Sequence, residues 1–355
     1  MKNAMRNVLL VLIVTQLMLF GFFGCSPQEA AKGVENDPTQ VEESTIEQVV
    51  GPIDKPTATP EPVPLSVTTG LPFDGEYKPI LAVIENSPAA RPQLGLQTAD
   101  IVYEVPVEGS ITRFLCLFSD TVPEEIMPVR SGRVPFLYIV HEYDAIFMHF
   151  GGSGSGSSTN SPHNIYTHHL RDEEYDVDGL SGRWSDYFYR SDEKTAPHNV
   201  VGRPLLAQQT LYNYQPEVPN WIFDEEVVYN GDDGTEISLQ LCSGKDGYVS
   251  YTYDENSGCY WRFMNGERFM SAETGEQVKV TNIILQYSSY TTSSKVKLWE
   301  MVGGGKADYY INGVKISGTW KRKDEDSNTI FYDGDGRQIV MRPGNTWINI
   351  CPEDK

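Results

Sequence analysis

The amino terminus limits what the rest of this chain can become. Lys2 and Arg6 precede an apolar run from Val8 to Phe23, which Phe22-Phe23-Gly24-Cys25 closes. A short cationic start, an apolar segment too brief for a comfortable membrane span, and a small residue before a cysteine form the pattern of a bacterial lipoprotein export signal. Residues 1–25 are therefore read as that signal, with Cys25 as the lipidation site carrying acyl chains such as palmitate. The competing reading is a retained membrane helix. A span needs about 20 apolar residues, whereas this run is shorter and is interrupted by Thr15 and Gln16; Phe22 stands where such signals prefer leucine. Both readings tether the protein to the cell membrane on its extracytoplasmic face.

Residues 26–69 read as a disordered stalk. Pro52, Pro56, Pro60, Pro62 and Pro64 alternate with Thr, Ser and the acids Glu35, Asp37, Glu42, Glu43 and Glu47, and no apolar period persists. Such a composition buries too little surface to offset chain entropy, and its prolines keep it extended. The remaining length allows two domains of ordinary size, with a boundary at Pro216-Glu217-Val218-Pro219. All six histidines lie before that point, while the segment after it is rich in Tyr, Thr, Val and Gly. Net charge is −21. A basic face for nucleic acid or for direct adsorption to anionic lipid is not expected.

The expected fold class is α+β, with a mixed α/β domain over 70–216 and a mainly antiparallel β domain over 217–355. Ile80-Leu81-Ala82-Val83-Ile84 is a continuous apolar run typical of a buried strand. Residues 101–105 and 111–118 flank the turn Glu108-Gly109 and read as a hairpin. If that turn holds two residues, Glu104 faces Arg113 as a cross-strand ion pair, and Pro106 places the first strand at an edge or a bulge. Pro135 suits a first helical turn, and Phe136, Leu137, Val140 and Tyr143 recur at helical spacing. A second helix is expected from about Arg203. After residue 216, short strands are expected over 248–253, 260–264, 278–286, 296–301, 307–311, 314–320, 329–332, 338–341 and 346–350. They form a meander with Asn312-Gly313 as a hairpin turn. Trp320, Trp347 and Cys116 read as core; a Cys242–Cys259 disulfide is open.

Few patterns carry chemistry. Gly151–Ser158 lacks the Gly-Lys-Ser/Thr of a phosphate loop. Ser191-Asp192-Glu193-Lys194 satisfies S-x-x-K without the companion motifs of penicillin-recognising enzymes. His163, His168 and His169 precede three acids, yet show no metalloenzyme spacing, so neither a metal nor another cofactor is expected. Arg130 and Arg133 flank the start of a helix, the end that favours anions. Ala196-Pro197-His198-Asn199 stiffens the chain before two side chains suited to ligand bonding.

Ala90-Arg91-Pro92-Gln93-Leu94-Gly95-Leu96, Ala99–Glu104, Glu108–Phe114, Pro128–Arg133 and Ala196–Asn199 together resemble the YerB-like lipoproteins. The resemblance continues through Tyr251–Asp254, Asn265-Gly266-Glu267, Gly303–Ala307 and Pro343–Ile348. Gly132 stands where alanine is more usual in that family, and Ser110 where glycine is common. The resemblance implies a two-part architecture and an exported location, without a reaction. The expected function is that of an envelope binding or accessory protein whose site gathers Arg91, Arg113, Arg130 and Arg133 around an anionic ligand. Glu104 and Glu108 orient those guanidiniums, and His198 and Asn199 add directional bonds. Internal ion pairing of the same arginines is an equal alternative. Two other functions stay open: an envelope-polymer hydrolase or transferase using His198 or Glu108 as general acid/base, and a scaffold for another exported protein. No catalytic constellation is recognised, and a non-enzymatic role is favoured.

Overall fold

The structure is a computed structural model and describes residues 63–152, 174–293 and 295–353. Residues 1–62, among them the signal, Cys25 and nearly all of the stalk, lie outside the described residues. So do His163, His168, His169 and most of the glycine-serine run. Among the described residues no helix is long and apolar enough to cross a membrane.

The first part builds β1 (Ile80–Glu85), β2 (Ile101–Pro106), β3 (Thr112–Phe118), β4 (Ile146–His149) and β5 (Asp176–Asp178). Every residue of the first four is buried, as expected of strands covered on both faces. Ile80, Ala82, Ile84, Val102, Phe114 and Cys116 pack toward Ile237, Tyr251, Tyr260 and Met264 on one face. Leu81, Val83, Ile101, Tyr103 and Leu115 pack on the other, with Phe136, Leu137 and Tyr143 of the helix Val134–Tyr143. That helix ends where Asp144 adopts φ 47 and donates its N–H to His141 O, a left-handed stop that Asp tolerates better than most residues. The second helix spans Pro204–Leu211.

The segment after residue 216 extends the same sheet. Strand order runs Ile330–Asp333, Val314–Arg322, Gly303–Ile311, Asn282–Ser288, Thr346–Pro352, then β2, β3, β1, β4 and β5. The carboxy-terminal strand thus lies parallel between β2, with Ile101 opposite Thr346, and Asn282–Ser288, with Asn282 opposite Thr346. This corrects the expected antiparallel meander: two of the pairings made by its last strand are parallel. A separate five-stranded antiparallel sheet holds Glu236–Gln240, Tyr248–Asp254, Cys259–Met264, Glu267–Arg268 and Lys279–Val280.

Other expectations are corrected locally. The expected strand 278–286 breaks at Thr281, and 338–341 makes only isolated bridges, from Gln338 to Tyr332 and from Met341 to Phe223. Asn312 (φ 52) and Gly313 (φ 76) form the expected tight turn, because both positions need positive φ. Cys116, Cys242, Cys259 and Cys351 are free thiols, so Cys242 and Cys259 are unbonded. Trp320 and Trp347 are core residues.

The β2–β3 register is also different. Val107 N–H donates to Ile111 O at 3.0 Å, and Gly109 (φ 75) and Ser110 (φ 57) both turn left-handed, so the loop holds three residues. Val105 then faces Arg113, and Glu104 faces Phe114. Glu104 and Arg113 project from opposite faces, since side chains alternate along a strand. Pro106 lies in an interior strand, beyond Glu104, where the parallel ladder ends, and its carbonyl accepts a bond from Trp299 Nε1 at 2.9 Å.

Candidate functional site

Most of the residues singled out in the sequence gather around three glutamates. The first, Glu85, was not among them. It ends the apolar run of β1 and is 1% exposed. The segment Pro128–Arg130 runs beside β1: Glu85 N donates to Pro128 O at 2.9 Å and Arg130 N to Val83 O at 3.0 Å. This places Arg130 Nε 3.2 Å from Glu85 Oε2, and His198 Nδ1 lies 2.9 Å from the same oxygen. Ser87 Oγ donates to Glu85 Oε1 at 2.8 Å. A carboxylate this deeply buried requires such partners, because an unpaired one would be neutralised instead. The outer sides of both side chains remain open. The side chains of Arg130 and His198 are 26% and 24% exposed. Arg130 Nη1 reaches Pro197 O at 3.4 Å, whereas Arg130 Nη2 and His198 Nε2 have no hydrogen-bond partner among the described residues. Nearby, Lys194 Nζ donates to Ala90 O and Pro92 O at 2.7 and 2.9 Å, which gives the S-x-x-K lysine a place in fixing the rim.

Glu108 is the second hub. Arg133 Nε donates to its Oε2 at 3.0 Å, Arg133 also bonds the other carboxylate oxygen, and Arg113 Nη2 lies 3.4 Å away. The remaining donors tie the loop before the helix: Arg113 Nη1 to Ser131 O at 2.5 Å and Arg133 Nη1 to Gly132 O at 2.7 Å. Arg113 and Arg133 are therefore internal partners of Glu108, and the guanidinium of Arg133 turns back from the helix start. Burial disfavours the ionised Glu108, but the Arg133 hydrogen bond and the charges of Arg133 and Arg113 outweigh it and hold the carboxyl at about 2. Burial and the Arg133 charge push Arg113 down to about 9, where it is still cationic at neutral pH.

A depressed carboxyl contributes stability above its unfolded pKa and loses it as pH falls through the folded value. The stability advantage of wild type over Glu108→Gln is thus expected to be complete at about pH 6, to shrink below about pH 4.5 and to vanish near about pH 2. Urea midpoints of the two proteins across that range check this, and a constant difference would contradict the assignment.

Glu104, the third hub, belongs to the interior. Its Oε1 accepts from Thr112 Oγ1 at 2.6 Å and Asn86 Nδ2 at 3.1 Å, and its Oε2 lies 2.8 Å from Arg262 Nη2. Arg262 is fully buried, ringed by Trp347, Phe269, Tyr251 and Phe114, with centroids 4.7 to 5.5 Å from its guanidinium carbon. Arg91 is bound to Asn86, with its Nη2 donating to the carbonyl at 2.8 Å, and faces Asp246 at 3.6 Å. Asn199 accepts from Arg190 at 2.8 Å and donates to Ser191 O at 3.0 Å. Neither joins Arg130. The expected eight-residue cluster therefore separates: Arg130 and His198 share one outward face, while Arg91, Glu104, Glu108, Arg113, Arg133 and Asn199 are tied to internal partners.

Two signals in the sequence could have located the missed residues. Glu85 is an acid closing an otherwise apolar buried run. Arg262 occupies an inward slot of the alternating strand Cys259–Met264, between Tyr260 and Met264. The remaining described histidines are internal as well. His149 Nε2 bonds Asp176 at 2.7 Å and its Nδ1 meets Gly151 O at 2.8 Å; His141 Nδ1 lies 3.3 Å from Asp326.

Comparison with known proteins agrees with this architecture. Residues 68–215 match the family model described as "Protein of unknown function (DUF3048) N-terminal domain", and residues 237–348 match its C-terminal domain. The chain is 31% identical over 286 residues to "Putative lipoprotein YerB" of Bacillus subtilis (strain 168), covering 78% of this chain and 82% of that one. It also superposes on the crystal structure of YerB protein from Bacillus subtilis with a TM-score of 0.66 at 29% identity, over 81% of this chain and 96% of the other. With both family segments matched in order and sharing one sheet, the chain belongs to the DUF3048 family, the relatives of the YerB lipoprotein.

Proposed function

We propose that this protein is a lipid-anchored, extracytoplasmic binding or accessory protein of the bacterial cell envelope, and that it holds an anionic group between Arg130 and His198. The signal pattern ending at Cys25 and the lipoprotein name of a relative support the location. One observation carries the site: a buried carboxylate, Glu85, fixes Arg130 and His198 from behind while Arg130 Nη2 and His198 Nε2 stay open outward. A guanidinium held in this way, beside an imidazole whose Nε2 donates when the ring is protonated, suits a phosphate or carboxylate oxygen, with little side-chain freedom left to lose on binding. Arg113 and Arg133 act indirectly, by holding the loop that carries Arg130.

The Glu85–His198 contact also favours a second reading. A carboxylate on Nδ1 fixes the tautomer and leaves Nε2 able to accept a proton, the arrangement of a general acid/base in hydrolysis or transfer on an envelope polymer. Arg130 would then stabilise developing negative charge.

Calorimetric titration of the full chain in detergent with inorganic phosphate separates these readings. Binding that weakens at least about tenfold in Arg130→Ala is expected, the loss of one charge-assisted contact of about 1.5–3 kcal/mol. Unchanged affinity would remove the anion site. Turnover of isolated wall polymer that is lost in His198→Ala would move the assignment to catalysis.

A further inference from the structure

Glu108 also lines a cleft of about 460 Å³ that none of the preceding chemistry uses. Its walls are the β2–β3 loop, the loop Gln240–Ser243, and the hairpin formed by Tyr290–Ser293 and Val296–Trp299. Two lysines enter it, Lys295 and Lys297. Lys297 is half-buried, with its ammonium 5.3 Å from the centre of the Tyr290 ring. Neither lysine has a carboxylate or hydrogen-bond partner among the described residues. This is unusual in a chain of net charge −21, where acids outnumber bases 49 to 28. Burial lowers the pKa of Lys297, while Cys242 and Glu108 raise it. Glu108 itself is claimed by Arg133 and Arg113, so the uncompensated charge of the cleft is positive.

The rest of the lining is polar in a particular way. Ser110, Ser243 and Thr292 supply hydroxyls, each able to donate and to accept, and Ser110 Oγ lies 2.6 Å from Ser243 Oγ. Tyr290, 43% exposed, forms the apolar wall. It packs on Trp299, centroids 4.7 Å apart, which Pro106 O holds in place. Gln240 donates to Cys242 O and Gly244 O, so the opposite loop is fixed as well. A preformed cleft with one aromatic wall, several two-way hydroxyls and unpaired ammonium groups matches a ligand that is rich in hydroxyls, partly apolar and negatively charged.

We infer that this cleft binds an acidic saccharide, with Lys297 and Lys295 pairing its acid group, Ser110, Ser243 and Thr292 bonding its hydroxyls, and Tyr290 covering a ring face. Neither Arg130 nor His198 lines this cleft, and the inference does not rest on the anion site proposed between them.

The test uses the full chain in detergent, with trigalacturonic acid as the acidic probe and maltotriose as the neutral one. The acidic probe is expected to bind, and to weaken at least about fivefold when sodium chloride rises from about 0.05 to 0.5 M, because salt reaches and screens the charges of an open cleft. Lys297→Gln should lower affinity at least about tenfold and Lys297→Arg should largely retain it. Lys295→Gln, at an exposed hairpin position that leaves the core intact, should lower it by a smaller factor. Maltotriose should bind at least about tenfold more weakly than the acidic probe. Arg130→Ala should leave trigalacturonate affinity unchanged, and Lys297→Gln should leave phosphate affinity unchanged. Absence of trigalacturonate binding, equal affinity for maltotriose, or an unaltered affinity in both glutamine variants would each overturn the inference.

Discussion

Arg262→Met is expected to destabilise the folded unit by about 3–5 kcal/mol, because it leaves the carboxylate of Glu104 buried without its countercharge. Both side chains are inaccessible to solvent. The guanidinium also bonds Tyr251 Oη at 2.5 Å, and Tyr251 in turn donates to Asn349 at 3.3 Å. The network therefore joins β2, the five-stranded sheet and the carboxy-terminal strand, three elements distant in sequence. Methionine preserves most of the volume, so the loss reports charge rather than cavity. The double variant Glu104→Gln, Arg262→Met removes both charges, and it should recover at least half of the lost stability. Urea unfolding of the four proteins forms the cycle. A single variant within about 1 kcal/mol of wild type would show that the pair is not the buried tie described here.

Glu142→Ala is the second large effect, also about 3–5 kcal/mol. Glu142 lies on the helix Val134–Tyr143, and its Oε2 accepts from Arg322 Nη1 at 3.1 Å, while Thr329 N and Oγ1 donate to its carboxylate at 3.0 and 2.9 Å. Burial pushes the Glu142 carboxyl up, and the Arg322 charge acts against this. Removing the carboxylate strands a buried guanidinium that otherwise reaches, among the described residues, only the carbonyls of Tyr138, Asp324 and Glu325. The neighbouring strand Ile330–Asp333 ends the strand order; it pairs with Val314–Arg322 on one side and has on the other, among the described residues, the isolated bridge from Tyr332 to Gln338. Hydrogen exchange of its amides should accelerate before that of β1, since edge elements open at lower free energy than the core. Global unfolding with no local change at that strand would contradict this reading.

These two ties also explain how far the sequence could be read. β1, the helix after Pro135 and the Asn312-Gly313 turn were legible because each depends on neighbours within a few positions. The position of Thr346–Pro352 was not, because nothing local tells a strand which two partners will flank it. The same limit separated the candidate site residues. A loop of three residues instead of two reversed the faces of Glu104 and Arg113 relative to one another. That one change sent Glu104 toward Arg262 and left Arg113 to Glu108. Motif density drew attention to Arg130 and His198 without their shared partner Glu85, which lies 45 and 113 positions earlier in sequence. It could not distinguish an arginine that faces outward from one spent on an internal carboxylate, a difference of burial that composition does not encode.

The central claim is that Arg130 and His198 form one anion-binding face, and side-chain nitrogen NMR of His198 tests it most directly. Addition of inorganic phosphate to the full chain in detergent should shift the His198 Nε2 resonance saturably, while His149, enclosed by Asp176 and Gly151, stays unmoved. In Arg130→Ala the same titration should shift it only at concentrations at least about tenfold higher. A His198 Nε2 resonance that does not respond to phosphate, or that responds identically without Arg130, would contradict the account.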